Sequence, residues 1–483
     1  MSIENHLGLP EEVFEIILRE LDLQDVVACS RVCVGWRNAV NSNRIWEDLC
    51  KKHVPQERLQ AQTKCRRMKA SYEVHETDNF APVCSWRQKY LNDVTLKRNW
   101  RNCWFQEDTI GDVIIPLHDF ETDYEVLLEP SMARSSFTVY NIVDTPVMTD
   151  IIHFAMQQPI PEFFKLSNNV LVVVQCTLLQ VYVKDENKNL QRKFVALFDR
   201  NHRHAKTIPD TPDLSNWYST HVGLFPCDIY VRCDHNGKYF VGMYNPDTDF
   251  SSSLLHIWDL ETFEKIEEVR FPRSRPRETI LDITFSLHNN TLHIIMKLLI
   301  VDHGIPTNAM YSYDLDFGRY SGTVLRVQYV IPIILFTEKL ACLTDLFGKK
   351  VFFFELADGR LLDTQETANS IDYRTLQVFD DLLTYAEFNH GSVHFTKVTV
   401  YDLKKFAVVD KFQVPNCKSI HSIHIVMKDL MIIGTSMLLL IRDLKNGGVF
   451  RSVQYFDFIP PDLSCTKMIA QKPEGELVVL HFW

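Results

Sequence analysis

Leu254-Leu255-His256-Ile257-Trp258-Asp259-Leu260 is a short, mostly apolar stretch that ends on an acid-leucine step. Its β-branched and aromatic residues favour a strand. The acid at its end suits a turn, because a carboxylate can accept hydrogen bonds from the backbone amides that follow. The same form returns in Phe137-Thr138-Val139-Tyr140-Asn141-Ile142, Leu178-Leu179-Gln180-Val181-Tyr182-Val183-Lys184-Asp185 and Met310-Tyr311-Ser312-Tyr313-Asp314-Leu315. It recurs in Val351-Phe352-Phe353-Phe354-Glu355-Leu356, Val398-Thr399-Val400-Tyr401-Asp402-Leu403 and Met437-Leu438-Leu439-Leu440-Ile441-Arg442-Asp443-Leu444. After most of them comes a turn and a further strand, as at 262–269, 359–364 and 405–412. A strand unit repeating at intervals of roughly 40–55 residues, with one longer gap between 178 and 254, marks the blades of a β-propeller.

Seven such cores predict seven blades, with eight as the alternative. The chain ends on Glu476-Leu477-Val478-Val479-Leu480-His481-Phe482-Trp483, a strand with nothing after it to pair with. Ring closure solves this if the last strands join the blade begun near residues 113–150, which removes open sheet edges. Trp258-Asp259 reproduces the dipeptide of the WD repeat, and the Gly-His element of that repeat is missing. The region 110–483 therefore resembles WD-repeat propellers in architecture.

A different grammar governs the N-terminus. Pro10 suits a first helical position, and Glu11 and Glu12 favour the positive end of a helix dipole. Val13, Ile17 and Leu21 form one apolar stripe while Phe14 and Leu18 form a second beside it. A solvated helix of a small unit buries one face, and about 40 residues is near the lower limit for a domain that folds alone. Two stripes thus imply either a partner protein or packing on the rest of the chain.

The order Leu9-Pro10, Glu12, Ile16-Ile17-Leu18, Leu21, Leu23, Asp25-Val26, Ser30, Val32-Cys33, Trp36, Ile45-Trp46 and Leu49 resembles the F-box over residues 5–52. Val26 stands where that family usually has leucine. The F-box is a short three-helix motif that docks on the Skp adaptor of cullin-based ubiquitin ligases, so the resemblance implies adaptor contacts from Leu9, Pro10, Glu12, Ile16, Ile17, Leu18, Leu21, Val32, Trp36 and Trp46. It also implies a cullin and a RING subunit reached through the adaptor, with the chain as substrate receptor or as an adaptor-bound scaffold. Residues 53–109 resemble the helical linker of F-box/WD-repeat proteins, with Val83, Trp86, Tyr90, Leu91 and Val94 on one helix face. A basic run at 64–69 reads as a solvated helix face. The expected architecture is multidomain, α followed by all-β: F-box, helical linker, propeller.

The chain has 483 residues and a net charge of -11. Residues 1–108 carry 16 basic and 16 acidic groups, so the excess acid lies in the remainder. That disfavours nucleic acid, whose binding requires neutralised phosphates. No apolar run is long enough to span a membrane, and the first residues lack a signal-peptide pattern. The twelve cysteines contain no CxxC. They fit reduced thiols in the cytoplasm or nucleus.

No P-loop, GxGxxG, HExxH or GxSxG is present, and no acid/base pair can be placed, so neither catalysis nor a cofactor is expected. His202, His204, His221 and Cys227 have no spacing that enforces a metal site. Two loops carry a sharper signal. The insertion 199–227 contains Arg200, Arg203, Lys206 and Trp217, and the connection after Arg270 contains Arg273, Arg275 and Arg277 between two prolines. Both join the last strand of one blade to the first strand of the next, hence the same rim of a propeller. Guanidinium forks there suit an acidic or phosphorylated protein segment; ordinary solvated loops are the alternative.

Overall fold

The computed structural model describes residues 11–56, 58–59, 62, 83–112, 120–123, 125–131, 136–153, 163–175, 178–198, 205–207, 230–244, 254–270, 278–288, 290–300, 305–328, 330–337, 339–345, 348–356, 360–388, 395–415, 417, 420–435, 438–448, 450–455, 457–459 and 465–482. Four short helices come first: α1 (Glu11–Glu20), α2 (Leu23–Cys29), α3 (Val34–Val40) and α4 (Asn43–His53). Asp22 caps α2 by accepting the Asp25 amide at 2.9 Å. Phe14 and Leu18 of α1 turn inward to meet Val26, Val40, Ile45, Trp46 and Leu49. The long helix α5 (Ser85–Asn102) completes this small core with Trp86 and Tyr90.

After α5 the described strands all pair antiparallel in sheets. Blade 1 is Glu121–Thr122, Val126–Pro130, Ser136–Asn141 and Val147–His153. Blade 2 is Phe163–Ser167, Val170–Gln175, Leu178–Lys184 and Leu190–Phe198, with Ala205–Thr207 added outside. Blade 3 is Tyr230–His235, Tyr239–Tyr244, Leu254–Asp259 and Glu264–Arg270; blade 4 is Glu278–His288, Thr291–Ile300, Ile305–Asp314 and Arg319–Gln328. Blade 5 is Val330–Phe336, Leu340–Asp345, Lys350–Glu355 and Leu361–Glu366; blade 6 is Ser370–Phe379, Leu382–Phe388, Phe395–Asp402 and Ala407–Pro415. Blade 7 is Ile420–Met427, Leu430–Thr435, Leu439–Asp443 and Phe450–Val453. Blade 8 takes Asp457–Ile459, Lys467–Gln471 and Glu476–His481 from the C-terminus and its outermost strand, Gln106–Asp112, from just after α5.

The described residues thus form eight sheets, one more than the seven strand cores predict. The closing blade carries no acid-leucine signal because no hairpin follows its third strand. The expected closure partner also changes: Glu476–His481 pairs with Gln106–Asp112, Gln106 opposite His481, and residues 121–153 form a blade of their own. Around this seam the Tyr455 hydroxyl donates to Glu107 at 2.7 Å, and Lys472 reaches Glu107 at 2.6 Å.

The acid-leucine step does what its chemistry suggests. Asp259 accepts the amides of Glu261 and Thr262 at 2.7 and 2.9 Å, and Asp402 accepts those of Lys404 and Lys405 at 2.9 Å each. The leucine amide then donates to a carbonyl in the preceding hairpin: Leu260 to Lys238, Leu403 to Asp381, Leu444 to Asp429. Phe482 fills that place in blade 8, donating to the Thr466 carbonyl at 2.9 Å.

Apolar residues on facing blades close the interior between them. One such cluster joins Val126, Leu128 and Phe137 of blade 1 to Leu171 and Val173 of blade 2. Another, with Leu127, Ile469 and Val479, closes blade 8 on blade 1. Polar ties supplement them: Lys184 of blade 2 is buried and holds Asp123 and Glu125 of blade 1, Glu125 at 2.6 Å. Burial opposes the Glu125 charge, but hydrogen bonds from Lys184 and Lys188 outweigh it and hold its pKa down at about 2. A carboxyl depressed below its ordinary value of 4.5 adds stability that is fully present above that pH and is lost as pH falls toward 2. Lys184→Met is therefore expected to destabilise the propeller at neutral pH and to flatten its acid-melting curve across this window, as followed by thermal melting at stepped pH.

Candidate docking surfaces

α1 divides its apolar residues between two faces. Phe14 and Leu18 lie inside the helical core, whereas Val13, Ile16 and Ile17, at helical spacing, point to solvent, with Ile16 59% exposed. Glu12 is exposed beside them. Val32, 64% exposed, and Val34 add apolar surface at the α2–α3 turn. Val34 escaped the sequence reading because an isolated valine after a cysteine belongs to no stripe.

Two expected docking residues are corrected. Leu18 is fully buried, and Trp46 is 1% exposed with its indole donating to the Val40 carbonyl at 2.7 Å. Neither offers surface to a partner; both hold the unit together. Leu21 and Trp36 are half-buried against the same core, and the Trp36 ring meets Phe14 edge-on at 4.7 Å. Leu9 and Pro10 lie outside the described residues. Trp46→Phe is expected to lower the stability of the helical unit by about 1–2 kcal/mol, through the lost indole hydrogen bond and lost packing. Urea unfolding followed at the α1–α4 unit measures it.

α5 connects this unit to the propeller through polar and stacked contacts. At its start the Asn41 side chain accepts the Cys84 amide at 2.8 Å, and Cys50 donates to the Trp86 carbonyl at 3.2 Å. Midway, buried Asp93 is held by Arg58 at 3.2 Å and Lys97 at 2.8 Å. At its end Trp100 stacks on Phe482, ring centroids 3.5 Å apart, and its indole donates to the Cys465 carbonyl at 2.6 Å. Asn99 donates to the Phe482 carbonyl at 2.9 Å, and Arg101 pairs with Asp429 and Asp443. Cys465, Asp429 and Asp443 belong to hairpins between first and second or third and fourth strands. Those hairpins share one rim, so α5 is seated on that rim.

The opposite rim carries the blade-to-blade connections. Arg270 ends the last strand of blade 3 there, paired with Leu254 and exposed. Lys206 lies in the fifth strand of blade 2, opposite Leu197, so this part of the insertion is drawn to the outer edge of the sheet and is not free loop. Arg200, Arg203, Trp217, Arg273, Arg275 and Arg277 lie outside the described residues, as do His202, His204, His221, Cys227 and the basic run at 64–69. Among the described residues no group of three or more His, Cys, Asp or Glu could hold a metal, no helix is long and apolar enough to cross a membrane, and no disulfide joins the cysteines.

Residues 6–52 match the family model described as F-box-like. A 41-residue stretch is 46% identical to F-box/LRR-repeat protein 8 of Homo sapiens, and covers 8% of this chain and 11% of that protein. Among solved structures, the C-terminal WD40 domain of Sif2 is similar at 13% identity and a TM-score of 0.46, over 78% of this chain and 98% of the other. BamB from Moraxella catarrhalis is similar at 9% identity and a TM-score of 0.44, over 78% of this chain and all (100%) of the other. The Dos1 propeller is similar at 11% identity and a TM-score of 0.43, over 78% and 93%. The class is set by the N-terminal match and by the strand order above: an F-box-like domain followed by a C-terminal β-propeller. The helix that joins them is seated on the rim opposite the inter-blade connections.

Proposed function

We propose that the chain is the substrate-recognition subunit of a Skp–cullin–F-box ubiquitin ligase. One observation carries this reading: an F-box-like domain presents Val13, Ile16 and Ile17 to solvent on one helix face, while its other apolar stripe closes its own core. The solvent face is the surface for the Skp adaptor, through which the cullin and RING subunit are reached. The propeller holds the protein to be modified. The chain contributes no bond-making chemistry; it raises the local concentration of substrate lysines at the ligase, a gain in positioning alone. It works in the cytoplasm or nucleus, where its thiols stay reduced.

The proposed substrate surface is the rim that carries Arg270; by sequence, Arg200, Arg203, Trp217, Arg273, Arg275 and Arg277 belong to the blade-to-blade connections, and Lys206 stands in the edge strand of blade 2. An acidic or phosphorylated protein segment is the ligand that guanidinium groups recognise best there. Arg273→Ala/Arg275→Ala/Arg277→Ala is expected to reduce co-purified substrates by about tenfold or more, the loss of several charge-assisted contacts. Adaptor capture should stay unchanged. Phosphatase treatment of the lysate gives the same loss if the acid is phosphate; undiminished capture by the triple variant removes this rim from the proposal.

A further inference from the structure

Between blades 5 and 6 lies a group of polar side chains that neither docking surface uses. Glu387, on the second strand of blade 6, is fully buried. One carboxylate oxygen, Oε1, accepts Lys411 Nζ at 2.6 Å and Thr399 Oγ1 at 3.4 Å, while Oε2 has no partner in the protein. Two residues earlier on the same face, the buried Tyr385 hydroxyl has Thr399 as a neighbour but no hydrogen bond of normal geometry. From blade 5, the fully buried Thr344 presents an unpartnered Oγ1. Thr344 shares a face with Cys342, and Cys342 packs with Tyr385 and Tyr401.

The repeat sets the heights. Leu356 donates to Lys339 and Leu403 to Asp381, so Lys339 and Asp381 occupy equivalent places in their blades. Counting from them, Thr344 lies level with Ala386, between Tyr385 and Glu387. At this same height the innermost strand of each blade leaves its ladder. In blade 5 the pair Ile331–Thr344 is followed by Leu335–Cys342; in blade 6 Asp372–Ala386 is followed by Gln377–Thr384. Thr375 closes part of the blade 6 irregularity, accepting the Ala386 amide at 2.8 Å and donating to Asp372 at 2.6 Å. Two irregular strands thus lie at the height of the unpartnered groups.

Buried polar groups in native proteins find partners, and where room allows the partner is ordered water. The chemistry selects water over an ion, because Lys411 already neutralises the one carboxylate. Two hydroxyls that both donate and accept, plus one free carboxylate oxygen, match the two to four hydrogen bonds of a buried water. We propose that this seam binds internal water that bridges Thr344 Oγ1, Tyr385 OH and Glu387 Oε2, so that hydration is part of what sets blade 5 against blade 6.

A high-resolution crystal structure of the full chain is expected to show ordered solvent density within hydrogen-bond distance of all three groups. Thr344→Val and Tyr385→Phe test the same point in solution. Each single variant should lower the melting midpoint, and the double should fall no further than the worse single, since either change unseats the same water. Direct side-chain hydrogen bonds closing the seam with no solvent density, or midpoint losses that simply add, overturn the proposal.

Discussion

Replacing Ile16 and Ile17 together by Asp is expected to abolish capture of the Skp adaptor and to leave the melting midpoint of the chain nearly unchanged. Both side chains stand on the solvent face of α1, so folding loses only about 0.5 kcal/mol. At an apolar interface the same change removes two anchors and forces two carboxylates to lose water, which costs about 4 kcal/mol or more, roughly 1,000-fold in Kd. Leu18→Asp is the contrasting variant. Its side chain is fully buried among Phe14, Val26 and Trp46, so it should lose adaptor capture by unfolding the helical unit, with a collapsed melting transition. Equilibrium binding to purified adaptor, read beside circular dichroism of each variant, separates the two effects. An Ile16→Asp/Ile17→Asp chain that binds like wild type would remove α1 from the interface.

The second large effect is expected at Trp100. This residue belongs to α5, yet its ring stacks on Phe482 and its indole donates to Cys465, both in blade 8. Trp100→Ala should cost the propeller about 3–5 kcal/mol, as for other large aromatic truncations in a core. The loss should appear in the propeller's own unfolding, because Phe482 also caps the closing blade through the Thr466 carbonyl. Phe482→Ala should show a comparable loss from the other side of the contact. Differential scanning calorimetry of the two variants is the measurement. If Trp100→Ala shifted only the helical unit, α5 would be a tether and not a strut.

The fold was legible in the sequence where local chemistry repeats. Third strands mark seven blades: five end on an acid and leucine, two on the related steps at Asn141 and Asp185, and acids such as Asp259 and Asp402 cap the hairpins that follow. The eighth blade was hidden because no hairpin links its third and outer strands: the outer strand, Gln106–Asp112, precedes all the other blades in the sequence. Its polar sequence carries no strand pattern, and its place is fixed by pairing with Glu476–His481. On α1 both apolar stripes were visible as spacing, but periodicity alone could not say which one turned inward. Trp46 decided it, by filling the space against Phe14 and Leu18. The polar spine of α5, with Asp93 buried between Arg58 and Lys97, was likewise silent, since charges on a helix normally read as solvated.

The central claim, that the chain brings proteins held by its propeller to a ligase held by its F-box-like domain, is tested most directly by ubiquitin on the proteins it captures. Wild-type and Ile16→Asp/Ile17→Asp chains should be captured from cells under proteasome inhibition, and ubiquitin remnants quantified on every co-purified protein. The account predicts the same propeller-bound proteins in both samples, with their ubiquitin remnants, the adaptor and the cullin lost from the variant. Equal ubiquitin on those proteins in both samples would contradict it.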